Sequence, residues 1–528
     1  MTSENSVLIV GAGPTGLIMA SRLTALGVPV RIIDCLKEPT STSRAFTVHA
    51  RTLELLGQMG LADRFLDKGI KTFSMDYHFP MKHDIPKLDF TELDSVFPFC
   101  LTINQADTEA ILREYLTSLG VDIEWNTKLN SFVNEDDGSL KVKLHHIDTD
   151  EAESIEVDWL IGCDGFYSTV RQQMNISLDG DEYAGTMRMI DVKVRGFEHS
   201  DNAIHYFIAK DHMLLITKLP GTNHRVLISD KTKGVPPEQA RKAFQAVLDQ
   251  HFGGKVELDE PVWSTNFRIS KRQASSYRQG NIFLAGDSAH VNSPAGGQGM
   301  NVAMQDAFNL SWKLAMVIKG EANKTLLDTY ETERAPVAGQ MLEGTNYIHS
   351  IIMAHGKGMQ ERIERMQGGE WNKHAVNQVA GISYTYRAKH ESSQQKDATP
   401  ATLAIGDRAP DKMFSSQQRI YDLINSDGYT LFLFLGSSGD LKTYDKLNTL
   451  ALQAAEQFKA KISWWMIVPQ TFAAQLEEIT PQVVVDDQEI HKLYSSKVYL
   501  LRPDCHIAYF GLAEDRDTLL AHLGEALL

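Results

Sequence analysis

The residues with the clearest chemical potential are glycines and carboxylates placed where apolar runs stop. Ser6 to Val10 is a short apolar run that passes into Gly11-Ala12-Gly13-Pro14-Thr15-Gly16; a helical stretch follows to about Leu26, and a second run, Val30 to Ile33, ends at Asp34. Between a strand and a helix this spacing carries a mechanism. Gly11 and Gly13 allow a tight turn and the close approach of a pyrophosphate, and Gly16 lets the helix pack on the strand. Asp34 can hold a ribose hydroxyl and disfavours a 2′-phosphate, so the expected resident dinucleotide is FAD or NAD rather than NADP. The stretch NIFLAGDSAHVNSPAGGQGMNVAMQDAFNLSWKL, Asn281 to Leu314, uses the same device again. Ile282 to Ala285 ends at Gly286-Asp287, and Gly296-Gly297-Gln298-Gly299 opens a helix through Met300, Asn301, Ala303, Asp306, Asn309 and Lys313. Glycines let backbone N–H groups approach a ligand, and the helix start adds roughly half a positive charge. Asp287 can accept hydrogen bonds from the hydroxyls of a sugar-like chain, while the N–H groups beyond Pro294 face a polarised ring carbonyl. Pro294 and Gly297 are the expected catalytic environment, because a proline without an N–H shapes the wall between substrate and cofactor. No base is assigned, and His290 in this turn reads as structural.

These turns need sizeable cores behind them. A chain of 528 residues with 43% hydrophobic content can supply two to four domains. The net charge of -16 argues against nucleic acid or an anionic membrane surface as partner. Cys35, Cys100, Cys163 and Cys505 form no CxxC pair, so neither a disulfide framework nor a metal site is expected and a reducing cytoplasm fits. The start, MTSENSVLIVG, has no basic region, and no apolar run approaches the ~20 residues of a membrane span.

Other segments supply further candidates. Arg44, among small polar residues after the second strand, can neutralise a pyrophosphate by bidentate contact. Gln105 precedes an amphipathic helix and is read as a cofactor contact. Trp159 to Arg171, WLIGCDGFYSTVR, is a strand entering another turn and helix at Asp164-Gly165. From about 175 to 273 the pattern becomes short alternating runs, Met189 to Val194, Ala203 to Ile208, Met213 to Thr217 and Arg225 to Ile228, which predict a largely antiparallel sheet. Tyr183, Arg188, His205, Tyr206, His212 and Met213 are its candidate substrate contacts. The absence of a basic cluster favours a neutral or phenolic, fairly large apolar ring system as substrate. Beyond Val337 a helical segment carries Met353, Met359 and Met366 as core or lid packing, and His390 to Pro400 reads as a linker.

GAGPTG, DGFYSTVR and GDSAHVNSPAGGQGMN, in this order, resemble the group A flavin-dependent aromatic hydroxylases, the p-hydroxybenzoate hydroxylase family, over roughly the first 350 residues. The resemblance implies an α/β fold: a discontinuous GR2-type Rossmann-like FAD-binding domain, 1–174 and 274–345, with an inserted antiparallel β-sheet substrate domain, 175–273. It implies FAD contacts from Gly11, Gly13, Gly16, Asp34, Arg44, Gln105, Asp287 and Gly299, and a role for Asp164 shared between FAD and NAD(P)H. Relatives often carry a small residue and glycine where this chain has Val302-Ala303. The implied activity is that of a monooxygenase: NADPH or NADH docks transiently and reduces FAD, O2 adds to give a C4a-hydroperoxyflavin, and a phenolic or polycyclic aromatic substrate is hydroxylated. Two alternatives are a Baeyer–Villiger-type or antibiotic-inactivating monooxygenase and, outside enzymes, an FAD-binding escort or sensor protein.

After the helical segment and linker, 346–399, residues 400–528 resemble the thioredoxin-like C-terminal domain of phenol hydroxylase relatives but lack CxxC, so packing or contact with a second copy in a homodimer is expected rather than redox exchange. Arg502-Pro503-Asp504-Cys505 departs from an RPDG pattern. Trp464-Trp465-Met466-Ile467-Val468-Pro469 resembles a halogenase WxWxIP signature but lies far from the cofactor motifs and is read as a strand.

Overall fold

The computed structural model describes residues 7–40, 44–80, 87–135, 138–182, 186–230, 234–292, 296–352, 364, 369–387, 403–414, 418–436, 440–458, 461–476, 482–488, 490–494, 498–512 and 514–527. Tyr183, Pro294, Met353, Met359, Met366 and the stretch His390 to Pro400 lie outside these.

The fully apolar strand Val7–Val10 has no solvent face, and such a strand belongs inside a parallel sheet covered on both sides. It pairs in parallel with Val30–Ile33 on one side and Trp159–Gly162 on the other. Ile282–Leu284 adds to the latter and Ile123–Glu124 to the former, with Arg278–Gln279 as an antiparallel edge, giving six strands. All three glycine-bearing motifs therefore leave neighbouring strands at one end of one sheet. The helices Pro14–Ala25 and Gly299–Ile318 pack on each other behind it. A three-stranded antiparallel sheet, Thr127–Asn134, Leu140–His146 and Glu151–Val157, flanks this unit.

The expected alternating strands are present as Thr186–Val192, Ala203–Ile208, Met213–Lys218 and His224–Asp230. They belong to a seven-stranded sheet that also takes Trp263–Phe267 and, from much earlier in the chain, Ser74–His78 and Lys87–Asp89. The Ser74–His78 strand pairs in parallel with Ala203–Ile208, so the sheet is mixed. Both faces are buried. One face packs Ile190, Phe207, Leu214, Ile216, Val226 and Ile228 against the amphipathic helix Pro237–Phe252, an element that the alternating pattern did not predict; the other carries Met187, Tyr206, Met213, Leu215 and Leu227 toward the glycine motifs.

The C-terminal strands form a five-stranded sheet, Val483–Asp486, Ile462–Pro469, Tyr429–Phe434, Val498–Leu501 and Ile507–Gly511 in spatial order. The first two neighbour pairs are parallel and the last two antiparallel. The two tryptophans sit within the strand Ile462–Pro469, as read from sequence. Cys505 takes the left-handed conformation, φ 61°, so the turn survives without glycine. This unit is joined to the rest through buried charge. Arg408 donates to Glu54 from Nε at 2.9 Å and from Nη2 at 2.5 Å, Arg51 donates to the carbonyl of Asp504 at 2.7 Å, and Arg502 grips Glu333 at 2.6 and 2.8 Å. Among the described residues no helix is long and apolar enough to cross a membrane.

Candidate functional site

The ends of the central strands and one face of the seven-stranded sheet enclose a cavity of about 1110 Å³. Gly13, Pro14, Thr15, Arg44, Gln105, Asp287, Gly297, Gly299 and Met300 line it, so most of the residues expected at the dinucleotide site converge there. Tyr206 and Met213 line the opposite wall.

The glycines are required by contact. Gly11 has φ +104°, and a Cβ there would sit 2.3 Å from the carbonyl oxygen of Cys163; a Cβ on Gly16 would sit 1.9 Å from that of Gly11. At Gly13 a Cβ would meet nothing, because that face opens on the cavity. Neither N-cap residue, Gly13 or Gln298, caps its helix with a side-chain hydrogen bond, and neither first turn is acidic. Two helix starts thus present bare N–H groups and their partial positive charge at one cavity, a cradle for anionic oxygens. Gly297, at φ +64°, leaves no room for a Cβ, which would fall 2.1 Å from Thr47 Oγ1.

Several of the expected contacts also clasp this cavity's walls together. Asp34 accepts from Ala12 N at 2.7 Å and Leu36 N at 2.8 Å, tying the second strand to the first turn. Asp164 accepts from Thr169 N at 2.7 Å, Val170 N at 3.2 Å and the hydroxyls of Ser168 and Ser288 at 2.5 and 3.1 Å. Arg171 donates to the carbonyl of Ser288 at 2.9 Å. The second and third motifs are thereby locked through Ser288, which the sequence did not single out. Asn301 accepts from His49 N at 2.8 Å and donates to the carbonyls of Thr47 and Gly297 at 3.0 and 2.9 Å. His49 donates from Nε2 to the Gly296 carbonyl at 2.8 Å, and burial pushes its imidazole down to about 4, so it stays neutral.

Asp287 stands differently: it opens on the cavity, and no described residue donates to its carboxylate. The surrounding protein raises its carboxyl above the usual range, an effect that His290 and Arg44 partly offset. Beneath it, buried Asp306 accepts from His290 Nε2 at 2.6 Å, Arg334 Nε at 2.7 Å and Gly286 N at 3.0 Å. Burial alone would raise the Asp306 carboxyl, but His290 and then Arg334 outweigh it and hold it below its ordinary value. His290 is therefore a support for the Gly286-Asp287 turn, as the sequence reading has it.

The substrate candidates divide by strand alternation. Arg188, His205 and His212 do not line the cavity. Arg188 lies over Phe244 of the helix Pro237–Phe252, His212 meets His251 at 2.9 Å, and His205 packs near Phe197, all on the helix-covered face. The cavity wall instead gains Met187, Leu215, Leu227, Trp263, Phe267 and Ile269. Tyr206 stacks on Tyr77, and no described residue hydrogen-bonds its hydroxyl, whose ionisation burial and then Cys100 push up. Arg272, which the sequence did not single out as a site residue, also lines the cavity, and its buried Nε has no described partner. Arg225, another residue missed, donates to both oxygens of Asp191 at 2.8 and 2.7 Å and to the carbonyls of Arg44 and Ala45 at 3.3 Å. It fastens the sheet to the Arg44 loop. A lone arginine in the apolar run HRVLISD was the available signal.

Residues 4–345 match the family described as FAD binding domain. The chain is 40% identical over 539 aligned positions to pentachlorophenol 4-monooxygenase of Sphingobium chlorophenolicum, spanning 100% of this chain and 97% of that one. It is 38% identical over 347 positions to 6-methylpretetramide 4-monooxygenase of Streptomyces rimosus, 66% of this chain and 62% of that one. Among solved structures, OxyS anhydrotetracycline hydroxylase from Streptomyces rimosus superposes with a TM-score of 0.77 at 25% identity, covering 99% and 98% of the two chains. The flavin-dependent monooxygenase PieE, solved with FAD and substrate, shares the fold with a TM-score of 0.76 at 20% identity, covering 98% of each. The chain belongs to the FAD-binding-domain family of flavin-dependent aromatic hydroxylases.

Proposed function

We propose that this protein is a monooxygenase that holds FAD, consumes NADPH or NADH, and hydroxylates a phenolic or polycyclic aromatic compound with O2. The observation that carries this reading is one cavity with two uncapped helix starts at one end and a methionine and aromatic wall at the other. Its volume exceeds the ~300–1,000 Å³ typical of a small-ligand pocket, which suits a dinucleotide with a ring beside it.

FAD fits the residues present. The N–H groups at Gly13 and Thr15, with Arg44, would take the pyrophosphate; Asp34, Gln105 and Asp287, to whose carboxylate no described residue donates, would take hydroxyls; and the helix start at Gly297, Gly299, Met300 and Asn301 would face the flavin's polar edge. Once reduced, bound FAD supplies the activation of dioxygen that inserts one oxygen atom into an electron-rich ring while the other leaves as water. The remaining work falls to the chain. Gly297 shapes the boundary between cofactor and substrate. Met187, Met213, Leu215 and Leu227 exclude water and accept a flat apolar ring. Tyr206 stays protonated and donates to a phenolic oxygen, and Arg272 favours that oxygen's anionic form, which makes the ring more electron-rich.

The fold reading extends this. Parallel strand order with glycine turns supports a GR2-type Rossmann-like FAD domain, 1–174 and 274–345, with 175–273 as substrate domain borrowing two strands from 74–89. Two parallel and two antiparallel pairs support a thioredoxin-like unit over 400–528 that serves packing or dimer contact.

The test is turnover. Purified protein is screened against chlorinated and polycyclic phenols for stimulated NAD(P)H oxidation, with product mass and peroxide measured together. A product heavier by one oxygen with its rings intact supports the proposal. Ring opening indicates Baeyer–Villiger chemistry, and bound FAD without turnover on any phenol indicates an escort; either overturns it.

A further inference from the structure

On the helix-covered face of the seven-stranded sheet, three histidines from separate segments meet. His78 ends the strand Ser74–His78, His205 lies in the parallel neighbour Ala203–Ile208, and His199 precedes that neighbour. The pairing Phe207↔His78 and His205↔Asp76 sets the two strand residues side by side. Their ring centroids form a nearly equilateral triangle, 5.1 Å from His78 to His199, 5.3 Å from His78 to His205 and 5.0 Å from His199 to His205. One nitrogen from each ring lies within 4.8 Å of the others. Nε2 of His78 and Nδ1 of His205 are 3.1 Å apart, and Oδ2 of Asp76 is 3.8 Å from that Nδ1.

The hydrogen bonding fixes which atoms are available. His205 Nε2 lies 2.9 Å from the carbonyl oxygen of Ser200. A carbonyl can only accept, so Nε2 carries the proton and the Nδ1 lone pair points at His78. A distal ring N–H anchored on a backbone carbonyl is the usual way a metal-ligating histidine is oriented. His78 is held flat on Phe207, centroids 4.4 Å apart and planes at 11°, so stacking places this ring as the Ser200 carbonyl places His205. His199 is exposed and can rotate to close the remaining gap.

We propose that His78, His199 and His205, with Asp76 as the nearest carboxylate, form a binding site for one divalent transition-metal ion, with zinc the best match. Imidazole nitrogens with a carboxylate suit zinc rather than magnesium or calcium, which prefer oxygen shells. Tetrahedral zinc with bonds of about 2.0–2.1 Å places ligand nitrogens about 3.3 Å apart, inside the range these rings already span. The four side chains come from positions that no sequence spacing would group. The site's role is mechanical: the strands it joins also carry Tyr77 and Tyr206, whose stacked rings alternate onto the other face. Metal binding would clamp the two strands behind the cavity wall without entering the cavity.

Full-length protein, stripped by chelator dialysis, is titrated with Zn2+ by equilibrium dialysis, and with Co2+ as an absorbing probe. We expect one zinc per chain, a rise in melting temperature on loading, and visible Co2+ bands of a four-coordinate nitrogen and oxygen site. His199→Ala, at an exposed position, should weaken binding by at least about tenfold, and His78→Gln should do the same. His251→Ala, which removes the separate His212–His251 pair, should leave binding unchanged. Absence of stoichiometric binding, or binding that survives both His199→Ala and His78→Gln, or that is lost with His251→Ala, overturns the assignment.

Discussion

Tyr77 and Tyr206 stack at 4.9 Å with their planes 21° apart, joining a strand from the first hundred residues to the cavity wall. Only the Tyr206 ring reaches the cavity; Tyr77 buttresses it. Tyr206→Phe preserves that packing and removes one hydroxyl. The expected result is a KM for phenolic substrates raised by roughly 5- to 12-fold, the worth of a lost hydrogen bond of about 1–1.5 kcal/mol, with flavin content unchanged. Steady-state kinetics with the ratio of product to NAD(P)H consumed would check it; an unchanged KM would remove Tyr206 from substrate recognition.

Arg272 offers a sharper electrostatic test. Arg272→Met keeps much of the stem volume and deletes the charge facing the cavity. Binding of phenols that ionise near neutral pH should weaken by about tenfold or more, while that of a non-ionising analogue changes little. Difference spectra of the bound flavin during titration would report both affinities.

Gly16→Ala addresses the cofactor end. The added methyl would meet the Gly11 carbonyl oxygen at 1.9 Å, backbone that cannot swing aside. Overpacking of this kind costs about 1–3 kcal/mol, or roughly 5- to 150-fold in retention of the dinucleotide. The purified variant should be largely colourless and regain yellow only in excess FAD; full flavin content at purification would show that the turn is not the cradle.

Acid should loosen the join between the C-terminal sheet and the helix Asp328–Ile352. Burial would raise the Glu333 carboxyl, but Arg502 and Lys313 overcome it and hold it at about 2, below its usual 4.5. The folded value is depressed, so this stabilisation is complete above the unfolded value and is lost as pH falls from about 4.5 toward 2. Its size is on the order of 3 kcal/mol from the shift. Glu333→Gln should lower the melting temperature at pH 7 and flatten its dependence between pH 5 and 3, which calorimetry across that range would measure.

How much of this was legible beforehand follows from locality. Gly11, Gly13, Gly16 and Asp287 could be read because a turn of glycines between an apolar run and a helix is encoded within about ten residues of chain. The sheet was also legible, since Ala203–Ile208 and Met213–Lys218 are compact β-rich runs. Its orientation was not. AIHYFI is buried on both faces, so no polar alternation says whether His205 or Tyr206 meets the cavity; that is decided by the helix Pro237–Phe252 covering one side. Arg225, Glu54, Arg408 and Ser288 were missed for another reason. Each works through a partner more than thirty residues away, and an isolated charge or hydroxyl carries no local sign of it.

The ionic join between Arg408 and Glu54, and between Arg502 and Glu333, has a consequence for how the polypeptide comes into being. Synthesis proceeds from the amino end, so Glu54 emerges with Arg51 and Glu333 after Lys313, but both long before Arg408 and Arg502 complete their pairs. Until Arg502 leaves the ribosome, the nascent flavin fold carries a flank on which Glu333 lacks one of its two cationic partners. Premature termination ahead of Arg502 should therefore leave unfinished protein for the proteases, even though every residue of the glycine cradle has been made.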